Sequence, residues 1–464
     1  KTLSRYRFNI MFNAEIYKNR RNKLCEGLEQ GIILLPGNNL VPMNYPSNTL
    51  RFRQDSNFLY YCGLDYPELN LIIDVSNGES ILFGDNLTVQ DIVWEGSRVS
   101  VERMTKDSGI TFNKSNTELK KYLTSVSDKI HTLPTYRADQ SLFINNILPD
   151  KYKTSSKSLI QNVIKQRSIK TEEEIVEIET ALTITAKMHE LAMKLTSDGV
   201  KEQYIVGQIE GLALSMGSRL AYPVIFTING QILHSNNYNN IMTSGRLTLN
   251  DSGAESPLHY ASDITRTFPV NGKFTSLQKD IYNIVYNMQL AALTYCSPGK
   301  SYKEAHIKSA QIAVEGLTAL GIMKGNINDA VNSGAHALFF PHGLGHMLGL
   351  DVHDMEGLGE DLVGYDEDNE RSNQFGLAYL RLAKKLEEGF VLTVEPGIYF
   401  IPNLIDKWES ENKHHDFINY DALKSFKEFG GIRIEDNIVI TNDGHRLLGP
   451  KIPSTVDDIE SLMS

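Results

Sequence analysis

The sequence predicts an α/β (α+β) protein of two domains, and three observations lead to that class. The chain has 464 residues, long for a single hydrophobic core. Its first third alternates short apolar runs with turn residues, the pattern of strands in a small α/β domain. Beyond residue 171, long helical periodicities alternate with strand-like runs as far as the C-terminus.

In the first part, "GIILLPG", "NFLYYCGL", "LNLIIDV" and "SILFGD" each read as a strand bounded by Gly, Pro, Asp or Asn. This domain ends near "YKTSSKSLIQNVIKQRSIK". In "KTEEEIVEIETALTITAKMHELAMKL", Thr171 and Glu174 have the spacing of a capping box, and Ile175, Ile178, Leu182 and Leu195 recur near helical spacing. The domain boundary is therefore expected just before this helix, giving a smaller α/β domain over 1–169 and a larger one over 170–464. In the larger domain, the helix "SLQKDIYNIVYNMQLAALTY" alternates with the strands "AYPVIFTI", "RLTLND", "FVLTVEPGIYF" and "GIRIEDNIVIT". No short-period repeat or low-complexity tract interrupts them.

Composition excludes several classes. A hydrophobic fraction of 41% and a charged fraction of 22% belong to a soluble globular chain. Its longest apolar runs are far too short to span a bilayer, so no membrane contact is expected. The stretch "KTLSRYRFNIMFN" lacks a continuous apolar core and a small-residue cleavage site, so no signal peptide is expected either. A net charge of -11 with no offsetting basic cluster argues against nucleic acid as a partner. Cys25, Cys62 and Cys296 are odd in number and form no CxxC, which predicts free thiols in a reducing cytoplasm and no thiolate metal site.

Residues 339–354 read "FFPHGLGHMLGLDVHD" and bring His342, His346 and His353 close together in sequence. An i, i+4 zinc pair on a helix is a poor reading of His342 and His346. Gly343 and Gly345 lie between them, and no glutamate follows the first histidine. Glycine-rich backbone instead predicts an irregular turn that allows close approach. Four acids also stand in β-rich apolar sequence: Asp251 ends "RLTLND", Asp263 lies in "HYASDITRTF", Glu395 follows "FVLTV", and Glu435 lies in "GIRIED". Strands disfavour such residues, and a buried carboxylate is costly unless paired or metal-bound. Arg266 or Arg433 could pair with one of them. Four together match the charge of two divalent cations, and an oxygen-rich donor set favours Mn²⁺, with Zn²⁺, Co²⁺ and Fe²⁺ as alternatives.

In order and spacing, "NDSGAES", "YASDITRTFPVNGKFT", "FPHGLGHMLGLDVHD", "LTVEPGIYF" and "GGIRIEDN" resemble the signatures of the aminopeptidase P and prolidase family. The resemblance covers the chain from about Lys170 to its end, and implies a pita-bread catalytic domain. "NYPSNTLRFRQDSNFLYYCGL" is similar to the family's non-catalytic N-terminal domain, more in the manner of aminopeptidase P than of prolidase. Carried over, the resemblance implies that Asp251, Asp263, His346, Glu395 and Glu435 hold two divalent metals, with Asp263 and Glu435 bridging. His234, His342 and His353 would then face the substrate. The interval between Asp251 and Asp263 is one residue longer than in many members, which predicts a bulge or a longer turn there.

The activity so implied is that of an Xaa-Pro aminopeptidase, with a water-derived hydroxide between the metals attacking the carbonyl before proline. Glu395 would handle the proton, His353 would steady the developing oxyanion, and His234 and His342 would line the prolyl side. The implied partners are peptides with proline in second place and further copies of the chain, as a homodimer or larger. One rival is a strict Xaa-Pro dipeptidase, for which Arg381 in "YLRLAKKLEEG" would grip the substrate carboxylate. Another is a metal-free relative on the same fold, either a creatinase-like hydrolase or a binding protein. The presence of all five ligand residues argues against it.

Overall fold

The structure is a computed structural model that describes residues 11–126, 129–149, 152 and 155–464. Most of the basic N-terminal stretch read above for a leader lies outside the described residues. The chain divides into two compact units, one of residues 1–167 with 357–359, the other of 168–356 with 360–464.

The first unit is built on a five-stranded sheet. Its strands are β1 (Ile32–Pro36), β4 (Asn70–Asp74), β5 (Ser80–Phe83), β6 (Phe112–Lys114) and β7 (Ile130–His131), in the order β6-β5-β4-β1-β7. The short β2 (Pro42–Tyr45) and β3 (Asn48–Thr49) pair separately. Ile32, Leu34, Ile72 and Phe83 from the sheet pack with Leu119, Leu123, Ile144 and Leu148 in one apolar cluster. One expectation fails here, because "NFLYYCGL" forms the helix Ser56–Cys62 and not a strand. Asp55 caps it by accepting the Phe58 N–H at 2.9 Å, and Gly63 closes it at φ 69°. All seven helical residues are buried, so the run has no polar face, and its period could not separate helix from strand.

In the second unit, Thr171 starts the helix Glu172–Leu195, its N–H donating to Glu174 Oε2 at 3.1 Å. This helix packs on Glu202–Ser215, and the helix Ser276–Tyr295 packs on Tyr302–Ala319. Between the helices lie three small sheets. Strands β8 (Ile225–Thr227), β9 (Leu247–Asp251) and β10 (Thr265–Pro269) form one, with Thr265 opposite Asp251. The β9–β10 ladder has no register shift. Residues 252–264 leave it in a connection closed by its own bridge between Glu255 and Ala261, so this segment is a long turn and not a bulge within the ladder.

The two acidic strand motifs both break at their glutamate. "FVLTVEPGIYF" becomes β11 (Val391–Val394) and β12 (Gly397–Tyr399), and "GIRIEDNIVIT" becomes β13 (Gly431–Arg433) and β14 (Asp436–Ile440). The last strand, β15 (His445–Leu447), adds to β14. Val394 pairs with Asp436 and Gly397 with Arg433, so the two breaks face each other. Pro396 has no N–H for the ladder. The freed glutamate N–H groups bond elsewhere, Glu395 to the Leu344 carbonyl at 2.8 Å and Glu435 to the Thr265 carbonyl at 3.0 Å. Both carboxyls are thereby aimed from the ladder into the interior of this unit.

Candidate metal centre

Asp251, Asp263, His346, Glu395 and Glu435 converge on one cavity of about 670 Å³, which is also lined by Tyr222, His234, His342, His353, Arg381 and Arg433. Asp263, His346 and Glu435 each place a ligand-type atom within 4.8 Å of the others. His346 Nε2 lies 3.3 Å from Asp263 Oδ2 and 3.5 Å from Glu395 Oε1. Its Nδ1 faces the Met347 carbonyl at 3.0 Å, and a carbonyl can only accept. Nδ1 therefore carries the proton, and in the neutral ring Nε2 is the lone-pair nitrogen turned toward the carboxylates. The glycines earn their place here, because a Cβ on Gly345 would sit 2.2 Å from the Thr393 carbonyl oxygen.

The residues fit a divalent-cation site. Glu435 Oε1 is buried without a hydrogen-bond partner. The single Tyr222 hydroxyl meets both Asp251 Oδ1 at 2.7 Å and Asp263 Oδ1 at 2.5 Å, although it has one proton to donate. The titration of the cluster points the same way. Burial, reinforced by the Asp263 charge and opposed by Arg433, pushes Asp251 up to about 6. Burial lifts Glu395 to about 7, with the charges of Asp263 and Asp251 helping and those of His346 and Arg433 opposing. Burial, then the charges of Asp263, Glu395 and Asp251, holds Glu435 well above the usual carboxylate range. Burial would also raise Asp263, but its hydrogen bond to His346 keeps it below its ordinary value. His346 rises to about 9 despite its burial, because Asp263 and Glu395 face it. Protons are gathering where positive charge is short, and oxygen-rich donors with one imidazole suit divalent cations in their place.

Strand ends explain how the carboxyls are held. Asp263, Glu395 and Glu435 each lie just outside a strand, and the strand residue two positions away from each supports the site. Thr393, before Glu395, accepts the His346 N–H at 3.1 Å. Thr265, after Asp263, donates to Glu435 Oε2 at 2.7 Å. Arg433, before Glu435, donates to Asp251 Oδ2 at 2.6 Å, so of the two arginines considered it is the one that pairs within the site. Arg266 instead binds Asp436 at 2.7 Å and the Glu435 carbonyl at 2.6 Å, fixing the strand behind. Tyr222, Tyr399, Thr265 and Thr393 were not foreseen. The threonines were findable from this spacing of two, whereas Tyr222 lies far in sequence from every acid of the site.

The rim is held differently. The His353 ring lies 4.0 Å from that of His346, centroid to centroid, and its Nδ1 is 3.1 Å from Glu356 Oε2. Burial first, then the charge of His346, pulls His353 down to about 4. The loop bearing it is anchored by the buried Lys170–Asp354 ion pair at 2.9 Å. Arg381 is on a loop and not on a helix, and pairs with Glu356 at 2.5 Å and Glu360 at 3.2 Å. His234 lines the cavity from an exposed turn. His342 is in the same cavity, but both its ring nitrogens are engaged by the protein itself.

The sequence profile of metallopeptidase family M24 matches residues 176–442. The chain belongs to that family. The profile of the aminopeptidase P N-terminal domain matches residues 17–133. The human Xaa-Pro dipeptidase is 32% identical over 463 residues, covering 96% of this chain and 92% of the relative. A probable Xaa-Pro aminopeptidase of Fusarium vanettenii is 34% identical, over 85% of this chain and 83% of its own. Among solved structures, zinc-substituted Escherichia coli aminopeptidase P in complex with product superposes with a TM-score of 0.80 at 30% identity, covering 98% of each chain. This M24 chain is thus a metallopeptidase with a pita-bread catalytic domain preceded by a smaller N-terminal one, and its family membership implies divalent metal.

Proposed function

We propose that the chain is a dinuclear Xaa-Pro aminopeptidase, with residues 1–169 as its non-catalytic domain and 170–464 as its catalytic domain. The convergence of Asp251, Asp263, Glu395 and Glu435 around the Nε2 edge of His346 carries this reading. Those five residues would hold two divalent ions, with Mn²⁺ preferred and Asp263 and Glu435 shared between the ions. When bound, the ions would lower the pKa of a water and polarise the scissile carbonyl.

The chain's own residues supply the rest. Glu395, whose carboxyl reaches the cavity beside His346, would accept a proton from the water and pass it to the leaving nitrogen. Glu356, facing His353 Nδ1, works against the burial and the His346 charge that pull this ring down, and so favours the cationic form that would be stabilised further by a nearby oxyanion. His234 and His342 line the prolyl side. An Xaa-Pro bond has no N–H, and nothing in this arrangement requires one.

The aminopeptidase reading is preferred to the dipeptidase because Arg381 is already neutralised by Glu356 and Glu360. It also has support from the match to the aminopeptidase P N-terminal domain. Three unpaired cysteines support a cytoplasmic setting, and among the described residues no helix is long and apolar enough to cross a membrane. Val89, Val93 and Trp94, exposed on the helix Val89–Glu95, support a homodimer or larger assembly.

The test compares the Mn²⁺-loaded protein on an Xaa-Pro dipeptide and an Xaa-Pro-Yaa tripeptide. The tripeptide should be cleaved at least as well. Turnover confined to dipeptides would replace this reading with prolidase, and full activity in a verified metal-free sample would end the dinuclear one.

A further inference from the structure

We propose that Tyr399 and Arg433 are positioning residues that occupy the free nitrogen of His342, so that His342 meets the substrate's proline with its ring face and makes no hydrogen bond to it. This rests on the Xaa-Pro reading above.

The direction of each bond follows from the atoms. His342 Nδ1 is 2.7 Å from the Gly343 carbonyl oxygen, which can only accept, so Nδ1 carries the proton. His342 Nε2 is 2.8 Å from the Tyr399 hydroxyl, and Arg433 Nη1 lies 2.9 Å from the same oxygen. A guanidinium can only donate, so the hydroxyl oxygen accepts from Arg433 and its proton goes to Nε2. The chain runs one way, from Arg433 through Tyr399 and His342 to Gly343, and leaves neither ring nitrogen for a substrate.

Both ends of this relay are fixed. Arg433 also donates to Asp251 Oδ2 at 2.6 Å and to Thr265 Oγ1 at 3.1 Å. Tyr399 is fully buried on β12, with its N–H on the Phe339 carbonyl at 2.9 Å. The His342 ring meets Tyr399 at 60° and Phe340 at 89°, with centroids 5.4 and 5.1 Å away. Its edges are gripped, and the ring still lines the cavity. A pyrrolidine ring offers C–H groups and no amide N–H, so a flat, hydrogen-bond-silent imidazole face complements it. Arg433 thereby ties a candidate metal ligand, Asp251, to the wall that selects proline.

The test uses the full-length, Mn²⁺-loaded protein. Tyr399→Phe should retain its metal, and kcat/KM for Xaa-Pro-Yaa should fall about tenfold, chiefly through KM, as expected for one lost hydrogen bond. Turnover of Xaa-Ala-Yaa should change far less, so the preference for proline shrinks by a similar factor. A general structural defect would lower both substrates together and would count against the proposal. Independently of activity, ¹⁵N spectra of the histidine side chains, taken on the protein loaded with diamagnetic Zn²⁺ and with His342 assigned by its loss in His342→Gln, should give the Nδ1–H tautomer in the unmodified protein. The Nε2–H tautomer there would overturn the relay even if Xaa-Pro cleavage were intact. Absence of Xaa-Pro cleavage in the unmodified protein would instead remove the activity reading and the wall role together, while the spectrum would still decide the tautomer.

Discussion

Asp263, His346 and Glu435, on the floor of the cavity, are 5%, 3% and 1% exposed, and each is fixed, Asp263 by the Asn437 side chain, His346 by a peptide carbonyl and Glu435 by a threonine. At the rim, His353 and Arg381 retain 33% and 36% side-chain exposure on loops, and both lean on the same carboxylate, Glu356. The floor takes its geometry from the ladder and has little freedom to vary. The rim takes its geometry from partly exposed ion pairs on loops. Metal retention and proline-directed turnover should therefore be separable by substitution, the floor governing the first and the rim the second.

The largest effect is expected from Asp263→Asn, which keeps the shape and removes one charge. Asp263 faces His346 Nε2 and Tyr222, and its backbone is clasped on both sides by Asn437. The fold should therefore survive while bound metal is lost and hydrolysis falls to background, as read by elemental analysis beside a thermal melt. Full metal content with this substitution would break the comparison at its floor.

His353→Ala is the matching change at the rim. Metal content should stay at the unmodified level, and kcat should fall about 10²- to 10³-fold, the range for a lost oxyanion donor. Metal loss in this variant would mean that His353, whose ring lies 4.0 Å from that of His346, belongs to the floor.

A smaller effect should appear in the pH dependence of stability. In the metal-free protein Asp251, Glu395 and His346 are raised to about 6, 7 and 9. All three hold protons more tightly folded than unfolded, so they favour folding at low pH. Each contribution is lost as pH climbs through the folded value. In the chelated protein this cluster's contribution to stability should fall between pH 6 and 9, while the buried histidines held low, His353 among them, work the other way at the lower end of the window and cancel when the protein is compared with and without metal. Cations that replace those protons remove the loss, so the gain in melting temperature on adding Mn²⁺ should grow across the same window by several degrees, at roughly 2–4 °C per kcal/mol. Asp263, lowered instead, has given its full contribution before this window opens. A metal-induced gain that shrinks with rising pH would contradict the account of the cluster.

The same contrast governs what could be read before the structure. The floor was legible because an acid in a β-rich apolar run is costly, so each of the four announced itself with Arg433 among the candidate partners, and a spacing of two from the acids could have added Thr265 and Thr393. Tyr222 was not legible, since its partnership with Asp251 and Asp263 depends on how β8 is entered from a separate loop. Nor was the helix Ser56–Cys62, whose complete burial erases the polar face that would have marked it. At the rim, sequence placed His342 and Arg381 near the substrate but not their partners. Those partners change what the two side chains can do.

Arg381→Ala should have the smallest effect and sharpen the comparison most. The Arg381 guanidinium lies against Glu356 and Glu360, so a substrate carboxylate would have to compete with two carboxylates already in place. A tripeptide offers at that point a neutral carbonyl, which gains little from a cation already neutralised. Its kcat/KM should change by less than about threefold, the scale of a partly exposed ion pair. A dipeptide brings a full negative charge and should suffer more. If the tripeptide lost as much as the dipeptide, Arg381 would be acting through Glu356 on His353, and the rim would be one coupled unit. If only the dipeptide were cleaved and only its turnover collapsed, Arg381 would be a carboxylate clamp, and the dipeptidase would be the better description of this chain. Either result leaves the metal content unchanged, because Arg381 is bonded to no residue of the floor.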